Sequence, residues 1–183
     1  MSLMGEQVAE EWLNRQGYFT IRGIKVGTGE TDLLAVKQNK KGTECWHYEV
    51  QFSLRPISYI CPAPEKLRKK GVAPYNAKKR TKAQVRKAVK EWVEKKYLDT
   101  KKDDLRKSVW RGHWKFGLIV GNVKHQEELS LIQEEGISII RIIDKLQEIS
   151  SKRSTREKGY PVVAAAGSDL IDLMFAHTQL KVG

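Results

Sequence analysis

Three things are scarce or missing in this sequence, and each absence narrows the class of protein. Only two cysteines, Cys45 and Cys61, occur in 183 residues. They form neither a CxxC pair nor a disulfide framework, which favours a reducing compartment. No apolar run approaches the ~20 residues that a membrane-spanning helix needs, and the N-terminus lacks the charged-then-apolar pattern of a signal peptide. Together these absences predict a cytoplasmic protein that has no membrane segment.

The composition is that of a globular protein, with 40% hydrophobic and 31% charged residues. The length suits one domain with a proper core, whereas two domains would be cramped. We therefore expect a single domain over residues 1–183. Its core covers about residues 5–149, followed by a polar linker at 150–159 and a C-terminal helical extension at 160–183.

Acidic residues are scarce in one long segment of the chain. Residues 66–115 contain 19 Lys and Arg but only 5 Asp and Glu, whereas the rest of the chain has 15 basic and 17 acidic residues. The net charge of +12 therefore comes from one region, which is typical of a phosphate-binding surface on a neutral body. We interpret it as a nucleic-acid contact. A well-solvated helix face with charged loops is the alternative.

The pattern of apolar residues predicts an α/β fold. Two hairpins at the start indicate antiparallel strands, and the alternation of helices and strands at the end indicates parallel pairing, so the sheet is mixed. A proline-rich segment at 56–75 is interpreted as a loop or flap. The predicted elements are a helix at 5–16, strands at 18–22, 31–36 and 44–53, a polar hairpin loop at 37–43, a helix at 78–97, a strand at 113–123, a helix at 127–135, a strand at 137–142 and a helix at 143–149.

Two acids interrupt apolar strands: Asp32 in "TDLLAV" and Glu49 in "WHYEVQF". Side chains alternate along a strand, so Glu49 and Gln51 share one face. If the two strands are neighbours, both acids stand close together, and buried carboxylates are costly unless they are paired or bind a metal. Two carboxylates plus substrate phosphates suit Mg²⁺, which supports phosphodiester cleavage. The alternative places both acids at an exposed end of the sheet.

The order helix, three strands, helix, strand, with acids in "GE", "TDLLAV" and "YEVQ", resembles the PD-(D/E)xK nucleases of the restriction-endonuclease-like fold. Within that class it resembles the small Holliday-junction-resolvase-type nucleases, over about residues 5–123. The resemblance implies an αβββαβ core flanked by helices and a metal-dependent DNA endonuclease. The implied cofactor is Mg²⁺, with Mn²⁺ as a substitute, and relatives that cut both strands as dimers suggest a homodimer by analogy.

The same resemblance implies roles for four residues. Asp32 and Glu49 are the metal-binding acids, and Glu6 is the acid of the first helix that supports the site. Gln51 falls where the family has its lysine, and an amide offers hydrogen bonds but no charge. Some restriction enzymes of this fold carry glutamine there, so two possibilities stay open: an active E-x-Q site, or a degenerate domain that only binds nucleic acid.

The basic segment follows the third strand, and in this fold the next helix flanks the cleft. We therefore expect contacts to DNA phosphates, which supply salt-dependent affinity but little sequence information. A rival from another class is a basic scaffold for a protein partner. The candidate nucleic-acid-binding residues are Lys69, Lys70, Lys79, Lys82, Arg86 and Lys90.

Overall fold

The computed structural model of the protein describes residues 3–27, 29–53 and 55–145. The predicted linker at 150–159 and helical extension at 160–183 lie outside these ranges. Within them, no helix has both the length and the apolar character to cross a membrane.

The described residues contain five strands and five complete α-helices, and residues 142–145 are also helical. The order begins helix, strand, strand, strand, as predicted. A π-helical turn at Glu94–Leu98 follows the third helix, and Asp99 links this turn to the fourth helix. The elements are α1 Leu3–Arg15, β1 Phe19–Val26, β2 Gly29–Asn39, β3 Gly42–Gln51, α2 Glu65–Arg68, α3 Lys82–Val93, α4 Thr100–Val109, β4 Trp114–Val120, α5 Gln126–Glu134 and β5 Ser138–Arg141.

The strands make one mixed sheet in the order β1-β2-β3-β4-β5. The first three strands pair antiparallel, and β4 pairs parallel with both β3 and β5. Helices flank this sheet, so the predicted α/β class with a mixed sheet is confirmed.

The hairpin between β2 and β3 is tighter than predicted. The expected polar loop at 37–43 is wrong, because β2 continues to Asn39 and β3 begins at Gly42, whose φ of 123° few other residues adopt. The polar side chains near the turn lie on strands, because their backbone groups pair across the hairpin. Polar side chains alone therefore do not indicate a loop. The turn sets a register in which Leu33 pairs with Tyr48 and Leu34 with His47.

Each face of the sheet has its own helical layer. On one face, Val8 and Leu13 of α1 pack with Leu33, Tyr48 and Val50 in a buried cluster. The other face is covered by α3, the π-helical turn, α4 and α5, through clusters that include Trp92 and Leu118. The polar residues of β3 that were singled out from the sequence lie on this second face.

The predicted long helix at 78–97 is divided in the structure. Thr81 closes a capping box with Gln84 at the start of α3, so the helix begins at Lys82. The π-helical turn then ends it, and Asp99 caps the N-terminus of α4, a helix that was not predicted. The predicted apolar stripe is confirmed as buried: Val85, Ala88, Val89, Trp92 and Val93.

Candidate functional site

The two acids singled out from the sequence lie together inside the protein. Asp32 on β2 and Glu49 on β3 are both completely buried, so the alternative of an exposed sheet end is wrong. Continuing the register of the hairpin places them opposite each other on the face covered by α3 and α4. The backbone N–H of Val50 donates to Asp32 Oδ2 over 2.9 Å, which attaches the first carboxylate to the neighbouring strand.

The carboxylate of Asp32 is only partly satisfied. Its Oδ1 atom is buried and accepts no hydrogen bond within the described part of the chain, and the nearest cation is the Lys96 ammonium at 4.0 Å. Burial, and then the negative charge of Glu49, raise the pKa of Asp32 to about 7. A buried oxygen without a hydrogen-bond donor is costly, so Oδ1 of Asp32 is the atom of the site at which a ligand would be most stabilising.

Glu49 is, in contrast, surrounded by donors. Its Oε2 pairs with the ammonium of Lys96, and its Oε1 accepts from Lys102 Nζ at 2.9 Å. His47 Nε2 lies 3.3 Å from the same Oε1 atom. Two positive charges and a ring N–H compensate the burial of this one carboxylate.

His47 is held neutral and in one tautomer. Arg106 Nη1 lies 3.0 Å from His47 Nδ1, and since a guanidinium only donates, Nδ1 accepts and Nε2 carries the hydrogen that points to Glu49. Burial, followed by the charges of Lys102, Arg106 and Lys96, holds the pKa of His47 well below its usual value. His47 is therefore a positioning group for Glu49 in this structure, with a proton that stays on Nε2.

Sequence reasoning missed Lys96, which reaches the acids from the π-helical turn. Its side chain is 19% exposed. Burial lowers the pKa of Lys96, but the charges of Glu49 and Asp32 outweigh burial and raise it. A signal was present: Lys96 comes four residues after the buried Trp92, so it stands in line with the apolar stripe of the helix.

Lys102 and Arg106 on α4 were also missed. They are spaced by one helical turn and share their side of the helix with Leu105 and Val109, which pack against Leu34 of the sheet. Both cations are buried. The signal was the apolar spacing of residues 105 and 109, which predicts that the cations between and before them face inward.

Within the described residues, neither Gln51 nor Glu6 makes a hydrogen bond to Asp32 or Glu49. Gln51 is half-buried at the end of β3, and its amide makes no hydrogen bond in the described ranges. Glu6 is buried on α1, where the neighbouring Gly5 packs so closely on Phe52 that an added Cβ would lie 2.5 Å from Phe52 Cβ. Burial, then the charges of Asp32 and Glu30, raise the pKa of Glu6. Glu6 therefore interacts with the site through its charge, from helix α1.

The six predicted phosphate-contacting residues lie on the surface, all of them exposed. Arg86 pairs with Glu134 of α5 at 3.0 Å, and Lys69 pairs with Glu65 at 2.7 Å. Tyr75, at the end of the proline-rich segment, lies close enough to Lys96 to affect its pKa. The flap therefore approaches the acids, while its contact with DNA stays a prediction.

The residues present fit a hard, oxygen-binding divalent cation such as Mg²⁺ or Mn²⁺ better than a metal that needs His or Cys ligands, such as Zn²⁺. In the described ranges no group of three His, Cys, Asp or Glu side chains is arranged to hold a metal ion. Mg²⁺ needs fewer protein ligands, since one or two carboxylates suffice when water and substrate phosphate complete the set. The unsatisfied Oδ1 of Asp32 beside Glu49 suits that requirement.

No family model matches this chain, and no curated protein does. Among solved structures, the chain is similar to a crystallised protein of unknown function, AF1548, at 13% sequence identity and a TM-score of 0.47. The match covers 80% of this chain and 66% of the other, so this chain spans just under two thirds of that protein's length. At this level the likeness does not bear on function.

Proposed function

We propose that this protein is a metal-dependent DNA endonuclease that hydrolyses phosphodiester bonds. The observation that carries the proposal is the pair of completely buried acids, Asp32 and Glu49, at the place where the sequence resembles the PD-(D/E)xK nucleases. A buried carboxylate oxygen without a donor, such as Oδ1 of Asp32, is destabilising, and its presence in an otherwise well-paired sheet is what a binding site for a cation requires. A positive segment beside the acids supports nucleic acid as the substrate.

The proposed roles follow the geometry. Asp32 and Glu49 hold Mg²⁺ or Mn²⁺, and Gln51, half-buried at the strand end, orients water or phosphate with its amide. Glu6 supports the negative potential of the site from α1. When bound, the cation stabilises negative charge on the phosphate and lowers the pKa of a water molecule.

A second candidate is a DNA-binding domain that has lost catalysis. The observation in its favour is that Lys96 and Lys102 already engage both oxygens of Glu49, so the acid is compensated without a metal. A cytoplasmic location is also part of the proposal, supported by Cys45 and Cys61, which are both buried as free thiols.

The proposal is tested by incubating the protein with supercoiled plasmid, a synthetic four-way junction and single-stranded DNA, in Mg²⁺, Mn²⁺ or EDTA. We expect cleavage that requires the cation and falls by at least about 100-fold in Asp32→Ala and Glu49→Ala, the scale of losing a main electrostatic group of a site. The shape of DNA that is cut fastest identifies the substrate.

Asp104→Ala is the matched control, because Asp104 is an exposed acid on α4. Each variant is first checked for folding by circular dichroism. Cleavage that persists in both acid variants contradicts the proposed site. DNA binding by a wild type that cuts nothing in either cation favours the second candidate.

A further inference from the structure

Lys96 is the one cation in the described part of the chain that contacts both acids. Its Nζ atom pairs with Glu49 Oε2 and lies 4.0 Å from Asp32 Oδ1. The side chain comes from the π-helical turn at Glu94–Leu98, on a different element from the strand that carries Glu49. Such turns occur frequently at functional sites. An ammonium therefore stands at the acids although the strand itself offers only the neutral Gln51.

Lys102 touches the same carboxylate and differs in what else it binds. Its Nζ donates to Glu49 Oε1 at 2.9 Å and to the backbone oxygen of Glu30 at 2.7 Å. Its side chain is 5% exposed, compared with 19% for Lys96. Lys102 thus binds the backbone as well as Glu49, whereas the polar contacts of Lys96 among the described residues are to the two acids, and its side chain reaches solvent.

A cation that binds the two acids would change the balance at Lys96. The cation would neutralise the charge of Asp32 and Glu49, and the described contacts of the Lys96 ammonium include no other anion. The ammonium also lies on the side of the site that faces solvent. A substrate phosphate is an anion that would meet it there. Lys102 keeps its backbone partner in either state, so it has no comparable freedom.

We propose that Lys96 is a catalytic residue of the cleavage site and supplies the positive charge that Gln51 lacks. This proposal rests on the proposed nuclease function. The oxygen of a water molecule forms a bond to phosphorus, and the bond from phosphorus to the leaving sugar oxygen breaks. One water proton passes to solvent, the leaving oxygen takes up a proton from solvent, and nothing is oxidised or reduced. Lys96 stays protonated and stabilises the negative charge on the phosphate by hydrogen bonding.

The test moves the ammonium from the helix to the strand. Lys96→Gln removes it, and the double variant Lys96→Gln, Gln51→Lys returns one to the site from β3. The control is Lys95→Gln, which makes the same change of charge at the exposed neighbouring residue. Lys96→Arg keeps the charge, and thermal melts establish that each protein is folded before plasmid cleavage is measured in Mg²⁺.

We expect Lys96→Gln to cut at least about 100-fold more slowly, Lys95→Gln to stay within threefold of the wild type, and the double variant to recover at least tenfold. A second readout does not depend on activity. Because the ammonium competes with a metal for the acids, calorimetric titration with MnCl₂ should show tighter binding by Lys96→Gln than by the wild type.

Lys96→Gln cleavage within threefold of the wild type overturns the role of Lys96 and leaves the nuclease proposal standing. A double variant that recovers nothing, or unchanged Mn²⁺ affinity in Lys96→Gln, also overturns it. A wild type that cuts no DNA in either cation is a different result, and it overturns the nuclease function together with this inference.

Discussion

Two buried carboxylates on the same side of the sheet have opposite surroundings. Glu128 of α5 is completely buried and accepts from the backbone N–H groups of Ile60 and Cys61 at 2.7 and 2.9 Å, one on each oxygen. Asp32 is equally buried, but within the described ranges only one of its oxygens accepts a hydrogen bond. Burial alone thus does not distinguish a structural acid from a candidate site, whereas the satisfaction of its oxygens does.

Glu128 attaches the proline-rich segment to the body of the protein. Arg80 completes this anchor, with Nη1 donating to the Cys61 oxygen at 2.8 Å and its guanidinium 4.0 Å from the Tyr59 ring centre. Burial raises the pKa of Glu128, and the N–H groups of Ile60 and Cys61 work against that rise. Both of its carboxylate oxygens therefore serve the fold.

Replacing Glu128 gives the largest expected loss of stability. Glu128→Ala leaves two buried N–H groups without acceptors, and we expect the free energy of unfolding to fall by about 3–5 kcal/mol. Urea denaturation measures it. Glu128→Gln retains an acceptor oxygen and should lose less. If Glu128→Ala unfolds within 1 kcal/mol of the wild type, the hydrogen bonds to Ile60 and Cys61 do not anchor the segment.

Replacing Asp32 should instead increase the free energy of unfolding at high pH. Its pKa is raised to about 7 from an ordinary value of 3.8, so the folded state holds this proton more tightly than the unfolded state. The contribution of Asp32 to stability therefore declines as pH rises from about 4 to about 7. At pH 8 without metal, Asp32→Asn should raise the free energy of unfolding by about 1–4 kcal/mol, and the gain should vanish near pH 4.

Urea denaturation of Asp32→Asn and the wild type at pH 4, 6 and 8 in EDTA measures this difference. Asp104→Asn, at an exposed position on α4, is expected to change stability by less than about 0.5 kcal/mol at each pH. Added Mn²⁺ should reduce the difference at pH 8, because the cation binds the ionised wild type. A destabilised Asp32→Asn at pH 8 would place Asp32 with Glu128 among the structural acids.

The acids could be predicted from the sequence because their placement depends on local periodicity. Alternation assigned Glu49 and Gln51 to one face, and a hairpin between neighbouring strands brought Asp32 to the same face as Glu49. Burial of both acids was expected from the apolar residues around them. The register itself came from the turn at Gly42, which sequence reasoning placed inside a longer loop.

The cations of the site could not be predicted from the sequence, for a different reason. Lys96, Lys102 and Arg106 lie 47 or more positions from Glu49 in the chain, and their approach depends on how α3 and α4 pack on the sheet. A basic segment predicts a solvated surface, because most cationic side chains are exposed. Its three members at the site could be separated from the other cations only by their helical phase relative to Trp92 and Leu105.

The smallest expected effects on stability belong to the exposed cations, where the same distinction between buried and solvated charge applies. Lys82→Ala and Lys90→Ala change exposed residues of α3 and should alter the free energy of unfolding by less than about 0.5 kcal/mol. If they contact phosphates, each should reduce the slope of log affinity against log salt by about 0.9. Arg86→Ala should act less, since Arg86 is paired with Glu134.

Binding of a duplex DNA in EDTA, followed by fluorescence anisotropy from low to high salt, separates these contributions from cleavage. Lys41→Ala is the control, because Lys41 is an exposed lysine at the hairpin turn, at the other end of β2 and β3 from the acids. Slopes that fall for Lys82 and Lys90 but not for Lys41 would mean that exposed charge acts on the partner while buried charge acts on the fold. Equal slopes for all four variants would return α3 to the alternative of a solvated face. The proposed anion contact of this region would then rest on Lys96, in the π-helical turn that follows α3.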